Sequence, residues 1–290
     1  MKLHRFHDIQ TFRDRTQAYL LKHEAEHNLL LGILNTLQHD PDRYPEPPYL
    51  VTVTADSDAD SDIVAIAIRT PPYKLVLSKV VIPSALTLIA QDVYQEVCRA
   101  QTQLPGASGL VTEAQIFVEI WQQLTGQTAK LAMQMRIHQL TAVQPVATAS
   151  GKLRQATPAD RPVALQWFRD FVAEAIASFG ANPEHLTDRA IANQHLYLWE
   201  DSVPVSFACG SQFLPTAGRI GPVYTPPAYR RQGYATACVA ALSQTLLDQG
   251  CQRCFLFTDL ANPTSNHIYQ AIGYRPICDW DDYMFVEALN

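Results

Sequence analysis

The sequence predicts an α/β chain of two domains, each a mixed β-sheet flanked by helices. Three observations carry that expectation. At 290 residues the chain is long enough for two ordinary domains, each with its own core. Short β-rich runs alternate with stretches of helical periodicity, and they do so twice in one order: helical region, β-hairpin, strand, helix, strand, helix. Between the two passes lies "QPVATASG" at 144–151, small, polar and without periodicity. It reads as a linker between a domain at 1–143 and a domain at 152–290.

The elements follow in order. Residues 1–39 carry helical spacing, and in "AYLLKHEAEHNLLLGILNTL" Leu20, Leu21, His27, Leu30, Leu31 and Leu34 share one broad face. The prolines of "DPDRYPEPPY" stop the helix. "YLVTVT" and "DIVAIAIRT" are strands of a hairpin whose tip, "ADSDADSD", is acidic and solvated. "YKLVLSKVV" is a third strand and "SALTLIAQDVYQEVCRA" a helix. "SGLVT" is a strand, "EAQIFVEIWQQLTG" a helix ending at Gly126 with Trp121 in the core, and "AKLAMQMRIHQLTAV" a strand.

The second pass opens with the strand "KLRQA" and the helix "TPADRPVALQWFRDFVAEAIA", with Thr157 as N-cap and Pro158 at its first position. A short helix near 183–193 precedes the hairpin "LYLWEDSVPVSFACG" and the strand "GRIGPVYT". After the loop and helix "YTPPAYRRQGYATACVAAL" come the strand "RCFLFTD", the helix "TSNHIYQAI" and a last strand near "DYMFVEA".

Composition narrows the function. A net charge of −6 argues against a nucleic-acid binder, which would present a basic surface, and is compatible with a cationic amine as substrate. The N-terminus is charged where a secretory signal would be apolar, and the longest apolar runs, such as "IVAIAI", are strand-sized rather than membrane-spanning. The six cysteines lack a disulfide-framework spacing and read as reduced thiols of a cytoplasmic protein. No metal is expected. "DSDADSD" has the alternating acids of a calcium loop, but Ser61 stands where glycine is needed and Ala67 where a glutamate is needed. Cys251 and Cys254 form a lone pair without partners at zinc spacing.

The informative stretch is "RRQGYAT". A helix start leaves about four backbone N–H groups without intrahelical partners at the positive end of the dipole. Gly233 and Ala235 remove bulk where an anion would approach, and Arg230 and Arg231 add charge. The lysine-serine/threonine ending of a nucleotide P-loop and the G-x-G-x-x-G fingerprint are both missing. The pattern R-x-x-G-x-A, filled by Arg230, Gly233 and Ala235, resembles the pyrophosphate loop of the GNAT N-acetyltransferase superfamily. "NPTSNHIYQAIGY" resembles that family's second signature through Asn262, Tyr269, Gly273 and Tyr274, with Ser265 in place of an alanine and Tyr274 in place of a phenylalanine. The resemblance covers roughly 152–290, and the repeated element order makes residues 1–140 a degenerate second copy without the loop.

The resemblance implies two parallel strands that splay around the pantetheine arm of acetyl-CoA, which is a co-substrate. Val223, Tyr224 and Thr225 would meet the pantetheine and the acyl oxygen, and Arg230, Arg231, Gln232, Gly233, Tyr234, Ala235 and Thr236 the pyrophosphate. Asn262 and Ser265 would lie near the pantetheine, and Tyr269 would be the general acid for the leaving thiolate. The strand "GRIGPVYT" lacks the acid that many members use as base, which leaves Glu174, foremost, with Glu200, Asp201 and Asp259. His267 reads as a solvated side chain. The implied reaction is acetyl transfer to a primary amine: a small molecule, an amino acid, a peptide N-terminus or a lysine. A different class stays open, a non-catalytic acyl-CoA-binding module whose first half binds a partner. A third reading, still enzymatic, is a tandem-domain transferase in which the first copy shapes the acceptor site.

Overall fold

The computed structural model describes residues 1–55, 62–147, 149–176 and 181–287. The acidic hairpin tip at 56–61, and with it the calcium-loop pattern, lies outside the described residues. The fold is mixed α/β and divides into two compact units. One comprises Met1–Ile137 with Ile277–Asn290, the other His138–Pro276.

The first unit runs β1 (Lys2–Phe6), α1 (Ile9–Lys22), α2 (Asn28–His39), β2 (Tyr49–Thr54), β3 (Ile63–Arg69), β4 (Leu75–Leu77), α3 (Ala85–Arg99), β5 (Gly106–Leu110), α4 (Val111–Thr125) and β6 (Thr128–Leu140). It is completed by the C-terminal strand β12 (Arg275–Val286), which pairs antiparallel with β5 from Trp280↔Leu110 to Met284↔Gly106. β1 to β4 form antiparallel neighbours, whereas β4 and β5 are parallel through Leu75↔Ala107 and Val76↔Ser108. β2 and β3 are buried at every position, which explains their continuous apolar, β-branched reading: both sheet faces are covered. On α3 and α4 the buried residues recur at three and four, so Leu86, Ile89 and Val93, and Ala114, Phe117 and Trp121, reach the sheet. Trp121 stacks on Phe117 at 6.0 Å and on Phe285 of β12 at 5.4 Å.

Three expectations change here. The region 1–39 is not helical throughout. "KLHRF" is a strand paired with β2, and helix begins only at Ile9, where Asp8 accepts the Thr11 N–H at 2.6 Å. β4 ends at Leu77 because the next residues turn to β3, with Ser78 N–H to Ile66 O at 2.9 Å and Val81 N–H to Val64 O at 2.8 Å. Residues 277–287, read as the end of the second domain, pack in the first unit. Asp282 is buried there in an ion pair with Lys74, and the Trp280 indole donates to Ser108.

The second unit repeats the scheme: β7 (Lys152–Gln155), α5 (Arg161–Ala175), α6 (Pro183–Ala192), β8 (Leu196–Asp201), β9 (Val203–Leu214), β10 (Ala217–Tyr224), α7 (Tyr234–Asp248), β11 (Arg253–Asp259) and α8 (Pro263–Ile272). The strands lie in the order β11-β10-β9-β8-β7, antiparallel except for the β10–β11 pair. Thr157 precedes a 3-10 turn, Pro158–Asp160, rather than capping α5 itself. The Asp160 carboxylate accepts the Thr157 N–H at 2.7 Å and its hydroxyl at 2.9 Å. α7 lies directly on β9, because a Cβ on Gly210 would stand 2.8 Å from Leu242. Its buried face, Ala237, Cys238, Leu242 and Leu246, joins Ile220 of β10 and Leu256 of β11 in one core.

Candidate active site

The site grows from the ends of β10 and β11. These parallel strands pair only from Ala217↔Arg253 to Arg219↔Phe255, and beyond that their register stops. β10 continues to Tyr224 against β9, with a register irregularity between Ile220 and Val223. The splay implied by the sequence is therefore present, with residues 220–224 on one side and 256–259 on the other.

From Tyr224 the chain passes through a 3-10 turn, Pro227–Tyr229, and reaches α7 by two left-handed residues, Arg231 at φ 63° and Gly233 at φ 83°. Gly233 is the residue immediately before the helix. A Cβ there would stand 3.7 Å from Ala149, so the backbone angle, rather than crowding by the protein, makes glycine the right residue. The first helical bond, Ala237 N–H to Gly233 O at 2.9 Å, leaves the N–H groups of Tyr234, Ala235 and Thr236 without carbonyls one turn earlier. Arg231 and Gln232 are exposed beside them.

Arg230 is placed differently. Its Nε donates to Thr225 O at 2.9 Å and a terminal nitrogen donates to Glu174 at 2.7 Å. The guanidinium carbon lies 5.6 Å from the centre of the Tyr224 ring. The Tyr224 hydroxyl donates to the other Glu174 oxygen at 3.1 Å. Burial and the Glu174 carboxylate push the Tyr224 phenol up to about 12, and the same carboxylate raises the Arg230 guanidinium. On β9 the buried Ser206 hydroxyl bonds Tyr224 O at 3.0 Å and the Thr225 hydroxyl at 2.8 Å. Sequence reasoning missed this network because its members are distant along the chain.

The other candidate carboxylates also have partners. Glu200 binds Arg154, and Asp259 accepts the Ala261 N–H at 2.8 Å. Asp201 accepts the Ser150 hydroxyl at 2.5 Å and the Tyr234 hydroxyl at 2.7 Å, which hold it below the usual carboxylate range.

On the β11 side, Asn262 caps α8, its side-chain oxygen accepting the Ser265 N–H at 3.1 Å while the Ser265 hydroxyl returns to Asn262 O at 3.1 Å. Asn266, passed over in the sequence, fastens the helix to the strand. Its oxygen accepts the Thr258 hydroxyl at 2.7 Å and its nitrogen donates to Asp259 O at 3.0 Å. His267 is exposed. Tyr269 is buried among Ile220, Leu256 and Cys238, edge-on to Tyr274 at 6.0 Å. Burial raises its phenol well above the usual range, so it keeps its proton at neutral pH.

Cys251 and Cys254 belong to the same core, and among the described residues no group of three His, Cys, Asp or Glu side chains is arranged to hold a metal ion. No helix among the described residues is long and apolar enough to cross a membrane. An exposed helix start beside an arginine fits an anionic pyrophosphate, and an open strand edge fits an amide-rich arm, so the residues present suit acetyl-CoA.

Residues 164–274, all within the second unit, match the family model of the Acetyltransferase (GNAT) family. A GNAT-family acetyltransferase from Colwellia psychrerythraea is similar at 14% identity over 99% of this chain and 100% of its own, with a TM-score of 0.57. A Drosophila protein is similar at 13% identity over 98% of both chains, with a TM-score of 0.66. A tandem GNAT protein from the clavulanic acid biosynthesis pathway is similar at 12% identity over 90% of this chain and 88% of its own, with a TM-score of 0.53. These likenesses are of fold. No curated protein sequence matches the chain.

Proposed function

We propose that the second unit, whose residues 164–274 are a GNAT acetyltransferase domain, transfers acetyl from acetyl-CoA to a primary amine by direct attack within a ternary complex. One observation carries the reading: a glycine-started helix opens where β10 and β11 part, so an anion site and an unpaired strand edge adjoin. The loop from Arg230 to Thr236 would hold the pyrophosphate, and the Val223–Thr225 edge the pantetheine, with Asn262 and Ser265 opposite. Since Thr225 O already accepts Arg230, Val223 is the better-placed strand partner.

Bound acetyl-CoA supplies the thioester. Backbone N–H groups of the Val223–Tyr224 segment would meet the negative charge that develops on the acyl oxygen. Tyr269 would hold the proton that the departing sulfur takes. Burial makes this phenol a still weaker acid than its ordinary form, itself weaker than a thiol near 8.5, so the transfer would depend on proximity to the departing thiolate. Each candidate carboxylate being engaged, the amine would attack from its neutral fraction, and the proton its nitrogen sheds on becoming an amide would restore the Tyr269 phenol.

The test is thiol release from acetyl-CoA in the presence of small amines, amino acids, peptides with free N-termini and lysine. Acceptor-dependent release is expected. Binding of coenzyme A without release from any acceptor would reject the enzyme and leave an acyl-CoA-binding module.

A further inference from the structure

We propose that Glu174 is a positioning residue for the cofactor loop: it holds Arg230 against the end of β10, so that Arg230 fixes the loop from inside and Arg231 is the arginine that faces the phosphates. The inference rests on the coenzyme A site proposed above. Its ground is a closed circuit of contacts. The Arg230 Nε is spent on the carbonyl of Thr225, its terminal nitrogen on one Glu174 oxygen, and its flat face on the Tyr224 ring. The other Glu174 oxygen takes the Tyr224 hydroxyl, and Tyr224 adjoins Thr225 in the chain. The last turn of α5, the end of β10 and the start of the loop are thereby joined through one carboxylate.

Two consequences follow. Both arginines are exposed, but two of the Arg230 donors are held by Thr225 and Glu174, whereas Arg231 makes none of these contacts beside the start of α7. A carboxylate whose two oxygens are taken by a guanidinium and a phenol is also directed at its own loop rather than at an acceptor amine, which casts Glu174 as a brace rather than a base. Ser206 completes the support by bonding Tyr224 O and the Thr225 hydroxyl from β9.

The experiment compares Glu174→Gln, Arg230→Lys and the double variant with the parent in the full-length protein. The readouts are coenzyme A affinity, steady-state turnover, and hydrogen–deuterium exchange of the 230–236 amides. The pair is half-exposed, at 43% and 47% of the side-chain surface, so Glu174→Gln should raise the dissociation constant and the KM for acetyl-CoA by roughly three- to tenfold and change kcat much less. Loop exchange should quicken without any ligand, and the double variant should be no worse than Arg230→Lys alone. A hundredfold loss of kcat with unchanged affinity would make Glu174 the base and overturn the proposal. Additive effects would overturn it too. If the parent binds no coenzyme A, the functional reading fails, and unaltered loop exchange in Glu174→Gln would separately reject the brace.

Discussion

The first unit and the second unit leave their equivalent strands in different ways. In the first, β4 gives way to residues 78–84, and α3 starts after Ser84 at right-handed helical angles, φ −64°. In the second, β10 gives way to residues 225–233, and α7 starts after two left-handed residues. The strand edge differs as well. In the first unit Val80 N–H, just past β4, donates to the Glu113 carboxylate of α4 at 3.1 Å, so a side chain occupies the edge that the second unit leaves open beyond Arg219. Where the second unit has Tyr269, a buried phenol four residues before Gly273, the first has Trp121, whose indole N–H is bound to Gln127 at 2.8 Å. The same strand order and helix placement can thus be kept by apolar pattern alone, while an anion site needs a particular backbone turn and an edge left unpaired.

The largest effect should come from removing β12. Ending the chain at Pro276 strips Trp280, Asp282 and Phe285 from the first unit, all of them buried. Each large aromatic is worth about 3–5 kcal/mol, against a total domain stability of roughly 5–15 kcal/mol. Calorimetric unfolding should lose the first unit's transition, and the second unit should still bind coenzyme A. An unchanged unfolding profile would show that the C-terminal strand is dispensable.

Next comes Tyr269→Phe, which keeps the ring and removes the proton. Turnover should fall by about 10²–10⁴ while acetyl-CoA affinity barely moves. If the ring only packs the core, Phe is harmless and Ala costs stability; turnover and melting temperature of both variants separate the two. Trp121→Phe in the first unit should cost stability and leave acetyl-CoA affinity alone.

A smaller effect sharpens the contrast from the first unit's side. His27 is buried, with Nδ1 2.9 Å from Leu20 O and Nε2 accepting the Lys79 N–H at 3.0 Å. It must therefore be neutral, and burial lowers it to about 4. The folded value lies below the unfolded one, so the contribution is complete above about pH 6.5 and lost as pH falls toward 4, about 3 kcal/mol in all. His27→Gln should flatten that part of the stability–pH curve, and an unchanged curve would remove His27 as its source.

Much of this was legible in the sequence, and the failures have causes. α7 and its glycine start could be read because the turn is local: Gly233 and the residues that need it are neighbours. "KLHRF" merges into the helical region because five residues of period two beside a longer period of 3.6 give little signal. Composition points to a linker at 144–151, whereas the compact units divide at 137/138 and 276/277; the second division arises because β12 pairs with β5, far from it in sequence. Glu174 stands out in the sequence as an acid, yet its partners at Tyr224 and Arg230 depend on how α5 lies against β10, which no spacing encodes. Asn266 carries no signal in the sequence because its bonds to Thr258 and Asp259 exist only once strand and helix are joined.

The central claim is that one unit binds the cofactor and the other cannot. Calorimetric titration of the full-length protein with coenzyme A measures it directly. One molecule should bind per chain, and Gly233→Val, which cannot take φ 83° without strain, should weaken binding by roughly tenfold or more in a folded protein. Two sites per chain, or a single site indifferent to Gly233→Val, would contradict the account.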